Sequence, residues 1–269
     1  MRTNPFLNKI TIFPVKSLDN IELQKAMISE GGCLLHDREF AMSDEEGNFI
    51  IGKTNPLIYT LRSKVDFENE TISFRKQNEK SWRIFNFESE IPAIQSYLSD
   101  YFGIKVILHR NKTGRFMDIP DISGITILSK SSLQSITKWY DDTSLEETRK
   151  RFRATIEIDG VPAFWEDYLF SSAGKGVEYK IGDVTVFGMS PRARCTVPTH
   201  NPMTGEVIHA FAKTFARHRA AEQQEWSKLK EYGHHYYLTV NCYIPETEVG
   251  KWIEVGDEIK IIGEKIFYK

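Results

Sequence analysis

A chain of 269 residues with 41% hydrophobic and 27% charged side chains fits one large or two modest soluble globular domains, and excludes a disordered chain. A formal net charge of −2 argues against the basic stripe of a nucleic-acid surface, while 35 Lys and Arg leave room for a local basic pocket. No apolar run reaches the length of a membrane-spanning helix, and Met1-Arg2-Thr3-Asn4-Pro5-Phe6 lacks the apolar core of a signal peptide.

Short β-branched and aromatic runs predict strands at 8–15, 21–28 and 33–43, with turns at Asp19-Asn20, Gly31-Gly32 and Asp44 to Asn48. Segments 71–75 and 82–87 read as a hairpin. Ile91, Ile94, Leu98 and Tyr101 follow helical spacing, and Gly103 supplies the stop. A strand at 104–109 precedes a Gly-, Pro- and Asp-rich stretch, 111–124, which reads as a long loop or domain seam.

The second half opens with a strand at 124–128 and a serine cluster, Ser129 to Ser132, before a helix reaching Tyr140. Such serines are first N-caps, and secondly a place where backbone N–H groups can bind an anion. Ser144-Leu145-Glu146-Glu147 is a capping box opening a short helix to about Arg151. Arg151-Phe152-Arg153 then enters a strand running to Ile158, which would place both arginines on one face. Strands follow at 177–188, the longest helix at 210–231, and strands at 236–243, 252–255 and 258–262.

Three cysteines, an odd number, do not make a disulfide framework, and the reducing cytoplasm is the expected compartment. Cys33 and Cys242 sit among apolar neighbours and read as buried small hydrophobes. Cys195 differs, because it follows Arg192-Ala193-Arg194 and runs into the turn Asn201-Pro202-Met203-Thr204-Gly205. Cationic neighbours stabilise a thiolate, the form that attacks electrophiles or binds a soft metal. Lys16 at a strand end, Arg38 inside a strand, Arg151, Arg153, Arg192, Arg194, Ser129 and Ser131 would together suit a phosphate-bearing ligand. His200, His209 and His234-His235 match no zinc spacing. His200 beside Cys195 leaves a Cys–His nucleophile pair as a minor option. Glu166-Asp167 is expected to neutralise nearby arginines.

Several segments carry a family resemblance in chain order: Phe13-Pro14-Val15-Lys16-Ser17, Asp37-Arg38-Glu39-Phe40, Ile127-Leu128-Ser129-Lys130-Ser131-Ser132-Leu133, Arg151-Phe152-Arg153-Ala154-Thr155-Ile156, and Arg194-Cys195 with Pro202-Met203-Thr204-Gly205. On these the chain resembles MOSC-domain proteins with their β-barrel N-terminal companion domain, in the branch of the mitochondrial amidoxime-reducing component and its bacterial relatives. The resemblance implies an α+β, mostly β fold: a MOSC β-barrel with peripheral helices at 119–269 and a smaller β-rich domain at 1–118. It implies a molybdenum–molybdopterin cofactor with Cys195 as metal ligand and catalytic residue. Lys16, Ser17, Arg38, Ser129, Ser131, Arg153, Thr155 and Arg194 would hold the pterin and its phosphate. The chain departs from the family's Cys-x-Arg-Cys at Arg192, and has Ala154-Thr155 where the family has Pro-Asn.

The activity so implied is reduction of N-hydroxylated or related small molecules, with electrons from a separate ferredoxin- or flavoprotein-type donor and with neither nucleic acid nor membrane as partner. The alternative is a non-redox molybdenum-cofactor or sulfur-carrier module. A third reading is a metal-free thiol enzyme built on Cys195.

Overall fold

The computed structural model describes residues 4–113, 116–119, 122 and 124–267. Its elements begin with β1 (Phe6–Ile12), β2 (Ile21–Leu23), β3 (Lys25–Met27) and β4 (Phe40–Ser43). Next come β5 (Leu61–Asp66), β6 (Thr71–Lys76), β7 (Arg83–Asn86), α1 (Ile91–Phe102) and β8 (Ile107–Arg110). The middle of the chain forms β9 (Thr126–Ser129), α2 (Lys130–Thr137), α3 (Leu145–Phe152), β10 (Ile156–Asp159), β11 (Lys175–Ile181) and β12 (Val184–Ala193). The remainder is α4 (Phe211–Ala221), β13 (Tyr237–Tyr243), β14 (Trp252–Glu254) and β15 (Ile259–Ile266). With 34% strand and 23% helix the class is α+β, mostly β.

One eight-stranded sheet dominates, in the order β15-β11-β12-β13-β9-β10-β1-β2. Its centre is explained by alternation along β9, where all four residues are buried. Ile127 enters the main apolar core, while Leu128 faces a second cluster with Leu133, Ile136, Phe152 and Phe215 from the helices. A strand covered on both faces tolerates an unbroken apolar run and a parallel neighbour. β9 and β10 are that parallel pair, with α2 and α3 in the crossover between them.

The two margins of the sheet approach each other. Phe6 bridges Glu258, Leu7 N donates to Asp257 O at 2.8 Å, and Ile259 N donates to Pro5 O at 2.9 Å. This is a single bridge rather than a ladder, so strand pairing does not show the closed barrel implied by the resemblance. The second half of β1 is given to β2, through Ile10↔Leu23, Thr11↔Glu22 and Ile12↔Ile21, and only its first residues reach the β15 margin. β1 and β2 lie in the sheet made by β9 to β13 and β15, and β3 pairs with β14 in a separate two-stranded sheet. Sheet pairing therefore crosses the 118/119 seam. Strands β4 to β8 and α1 surround a separate apolar cluster containing Phe40, Phe74, Phe87 and Leu98.

Local signals with short range hold well. Gly103 caps α1 in the left-handed region at φ 68°, and the Ser144 side chain caps α3 by accepting from Glu147 N. Other expectations are corrected. In the run 33–43 only Phe40–Ser43 is strand, because His36 and Arg38 take left-handed backbone at φ 68° and 53°. Arg151 belongs to α3, and Arg153 closes that helix at φ 51°, so β10 begins only at Ile156 and the two arginines share no strand face. α4 stops at Ala221 and is shorter than the 12-residue α1; the chain then turns before a 3-10 segment at Lys228–Tyr232.

The Glu166-Asp167 pair lies within this framework. Arg219 donates to both Asp167 carboxylate oxygens at 2.6 Å, and Ser227 Oγ donates to Oδ2 at 2.5 Å. Among the described residues Glu166 has no ion-pair partner. Burial, and then the neighbouring Asp167, push its carboxyl up to about 7 from 4.5, and Ser132 Oγ donates to it at 2.9 Å. A raised carboxyl stabilises the fold fully below its unfolded value, and that stabilisation is lost as pH rises through the folded value. From about pH 5 to about pH 8, the parent's urea-unfolding free energy should therefore fall roughly 3 kcal/mol further than that of Glu166→Gln. Parallel pH curves for the two proteins would show that Glu166 is ionised in the fold.

Candidate functional site

A cavity of about 690 Å³ opens where the end of β12 meets the segments that follow β1 and precede β4. Among the described residues nine cationic side chains line it (Lys16, Arg38, Lys53, Arg62, Lys150, Arg151, Arg153, Arg192 and Arg194), against two carboxylates, Asp19 and Asp118. That imbalance selects for an anionic occupant. Thr126, Ser190 and Asn241, from the sheet strands β9, β12 and β13, also line it.

The first wall is built by Phe13 to Ser17. Val15 bridges Phe40 in parallel, and Lys16 N donates to Phe40 O at 2.8 Å, so this short segment is fixed against the start of β4. Lys16 Nζ then reaches Phe116 O at 2.8 Å and Asp118 Oδ1 at 2.6 Å. Ser17 follows in left-handed backbone at φ 72°. Asp37 is fully buried; it accepts from Phe13 N at 2.8 Å and from Arg38 Nη1 at 2.6 Å. Arg38 and Arg153 both approach the Phe13 ring, with guanidinium carbons 4.5 and 4.1 Å from its centroid. Arg153 Nη2 also donates to Leu18 O at 2.8 Å. Burial first, then Arg38, push the Arg153 guanidinium down to about 9. Left-handed backbone is uncommon for residues with a Cβ, and Ser17, Arg38 and Arg153 all adopt it at this one cavity.

The second wall is the end of β12. Arg192 and Arg194 are two residues apart, with Ala193 between them, before the exposed Cys195. Arg192 donates to Asn241 Oδ1 at 2.9 Å and to Asp118 Oδ2 at 2.7 Å. Arg194 Nη2 donates to Phe152 O at 3.0 Å, and its buried Nε meets no acceptor among the described residues. Burial, then Arg192, push Arg194 down to about 10. Tyr236 Oη donates to Cys195 O at 3.2 Å, fixing the backbone beside the thiol. Burial would raise Asp118, but Lys16, Arg192 and Arg38 hold it down to about 2.

Of the expected site residues, the structure brings Lys16, Ser17, Arg38, Arg153, Arg194 and Cys195 to this cavity. Ser129, Ser131 and Thr155 are elsewhere. Ser129 is fully buried and caps α2 by accepting from Ser132 N at 3.1 Å, so this helix start is closed from within. Ser131 Oγ donates to Val161 O at 2.7 Å, and Thr155 Oγ1 donates to Thr126 O at 3.0 Å. Glu166 and Asp167 sit away from the cavity arginines. Among the described residues no group of His, Cys, Asp and Glu forms a metal cluster. Arg192, expected from sequence to serve a phosphate-bearing ligand, also lines the cavity, whereas Tyr59, Arg62 and Asp118 were outside the expected set. His200, weighed as a partner of Cys195, instead stacks on Tyr59 with ring centroids 4.9 Å apart and planes at 7°.

The chemistry available is therefore multidentate binding of a phosphate-like anion beside an accessible soft thiol. Inorganic pyrophosphate should raise the melting temperature of the protein by several degrees at about a hundredfold excess over its dissociation constant. Arg153→Met should lose most of that rise. An equal rise in both proteins would remove Arg153 from the anion-holding set.

The sequence matches two family models in tandem. Residues 5–100 match the MOSC N-terminal beta barrel domain, and residues 120–260, more than half of the chain, match the MOSC domain. No curated protein matches. MOSC domains are associated with the molybdenum cofactor and with sulfurase and amidoxime-reducing-component type proteins. Among the described residues, no helix is long and apolar enough to cross a membrane. The chain belongs to the MOSC-domain family, with the MOSC N-terminal domain preceding it.

Proposed function

We propose that this protein is a molybdenum-cofactor-dependent oxidoreductase of the amidoxime-reducing-component type, acting on N-hydroxylated or related small molecules. The observation that carries the reading is the exposed Cys195 at the edge of a 690 Å³ cavity with nine cationic residues and two carboxylates, within a MOSC chain. The residues suit the cofactor by their chemistry: a thiol is a soft metal ligand, and a phosphate takes Arg forks and a Lys point charge. Arg194, whose Nε has no acceptor among the described residues, would have donor capacity to give such a group.

Lys16, Ser17, Arg38, Arg153 and Arg194 would hold the pterin phosphate and ring, and Cys195 would bind the metal as thiolate. When bound, the cofactor supplies a two-electron redox centre able to cleave an N–O bond with release of water. The chain's part is to place and retain that centre. Arg192 and Lys16 share Asp118, which spans the cavity margin between them. Reduction of an N–OH group consumes two electrons and two protons, and the electrons would come from a separate ferredoxin- or flavoprotein-type donor.

Cofactor-loaded protein, supplied with a reduced one-electron dye, should convert an N-hydroxylated amidine to the amidine. Two dye equivalents should be consumed per product, and Cys195→Ser should abolish turnover. Dye oxidation that ignores the substrate would contradict the oxidoreductase reading. Tightly held pterin that passes intact to an acceptor protein, without turnover, would favour the carrier role.

A further inference from the structure

Among the cavity cations outside the set assigned above to the cofactor are Arg62 and Lys150. Both end on one atom, the sulfur of Met203. Arg62 Nη1 donates to it at 3.4 Å and Lys150 Nζ at 3.9 Å. A thioether is a weak acceptor, whereas guanidinium has five N–H donors and ammonium three, so donor capacity is left over. Arg62 is 8% exposed. Its terminal nitrogens reach Asp19 Oδ1 at 2.8 Å and Tyr59 O at 2.6 Å, but its buried Nε has no acceptor among the described residues. Buried polar groups are nearly always satisfied, so Arg62, which lines the cavity, carries unmet donor capacity there. Asp19 balances one of the two charges. Among the described residues, no carboxylate lies within ion-pair distance of Lys150.

Next to these cations is a flat aromatic surface. Tyr59 bonds to Arg62 through its carbonyl, and its ring stacks on His200. Tyr59 Oη is occupied, donating to Gly52 O at 2.8 Å, and His200 Nδ1 is within 3.0 Å of Thr196 O. Both residues line the cavity: His200 follows Cys195 by five residues, and Tyr59, 6% exposed, backs it from the 3-10 segment Pro56–Thr60. A planar ligand ring resting there would keep its reacting group near the thiol while an acidic substituent met Lys150 and Arg62.

We infer that this wall is the substrate seat and that it selects aromatic N-hydroxylated compounds carrying a carboxylate. The Arg62 guanidinium and Lys150 Nζ bind the carboxylate, and the half-buried His200 ring, backed by Tyr59, receives the ring. The inference rests on the oxidoreductase reading for the identity of the reacting group. It does not rest on that reading for the anion seat itself.

Isothermal titration of the full chain with an aryl amidoxime bearing a para-carboxylate, and with the same amidoxime lacking it, tests the seat. The carboxylated probe should bind at least about tenfold more tightly. Lys150→Gln should bring the affinity ratio of the two probes close to one. Arg62→Lys, which keeps a cation for Asp19 and drops the guanidinium, should reduce the ratio too. In turnover by loaded protein, the same variants should raise KM for the carboxylated substrate more than they lower kcat. Equal affinities for the two probes in the parent, or a preference that survives Lys150→Gln, would overturn the proposal. A charge preference with no turnover of either compound would leave the seat standing and contradict the oxidoreductase reading. Turnover of both without a preference would do the reverse.

Discussion

Two guanidiniums share one phenyl ring at the centre of the site, and much of the cavity follows from how they are kept there. Arg38 and Arg153 crowd Phe13, and Arg38 is bonded to the fully buried Asp37. Burial pushes Asp37 up, and Arg38 is the largest influence pulling it back down. Breaking that pair would leave a buried carboxyl without its cation, which is far more costly than leaving a surface charge unpaired. Arg38 is thus held beside a second arginine it would otherwise repel. An anion entering the cavity relieves this repulsion, so the unloaded site is primed for one.

The fold delivers the thiol to the same place by a different route. β12 pairs with β11 and β13, and irregular register at Gly188/Ser190 and Pro191/Ala193 shifts its last residues. Arg192 lies in the last stretch of β12, where Ala193 still pairs with Tyr237, Arg194 N donates to Tyr236 O at 3.0 Å, and Cys195 follows exposed. The sheet is thereby a rigid platform, while its strand end carries the reactive group. Residues from opposite ends of the chain meet there because β1 joins the sheet made largely by residues beyond 124.

Local chemistry made some of this readable from sequence. Gly103 and Ser144 act through one helix end each, and the Arg-x-Arg-Cys run carries its own electrostatic meaning. The same local reading misplaced Arg38 and Arg153 in strands, because their left-handed backbone is fixed by contacts with Phe13, Asp37 and Leu18. A serine before a helix gives one signal for two outcomes. Ser129 spends its hydroxyl on the cap, and nothing within its segment distinguishes that from anion binding. Tyr59, Arg62 and Asp118 give no motif at all; each reaches the cavity by folding of segments distant in sequence from Cys195. Thr155 resembles a cofactor contact in its motif, but its hydroxyl ties β10 to β9 instead.

Taken together, a positive cavity, an orphaned Arg194 donor and an exposed cysteine give a single physical account: an anionic cofactor held by cations and anchored through sulfur. Molybdenum and pterin content of protein purified from a cofactor-producing host, measured beside Cys195→Ser, tests that account most directly. The account predicts near-stoichiometric molybdenum and pterin in the parent, with molybdenum lost from the variant. Parent protein carrying neither metal nor pterin would contradict it.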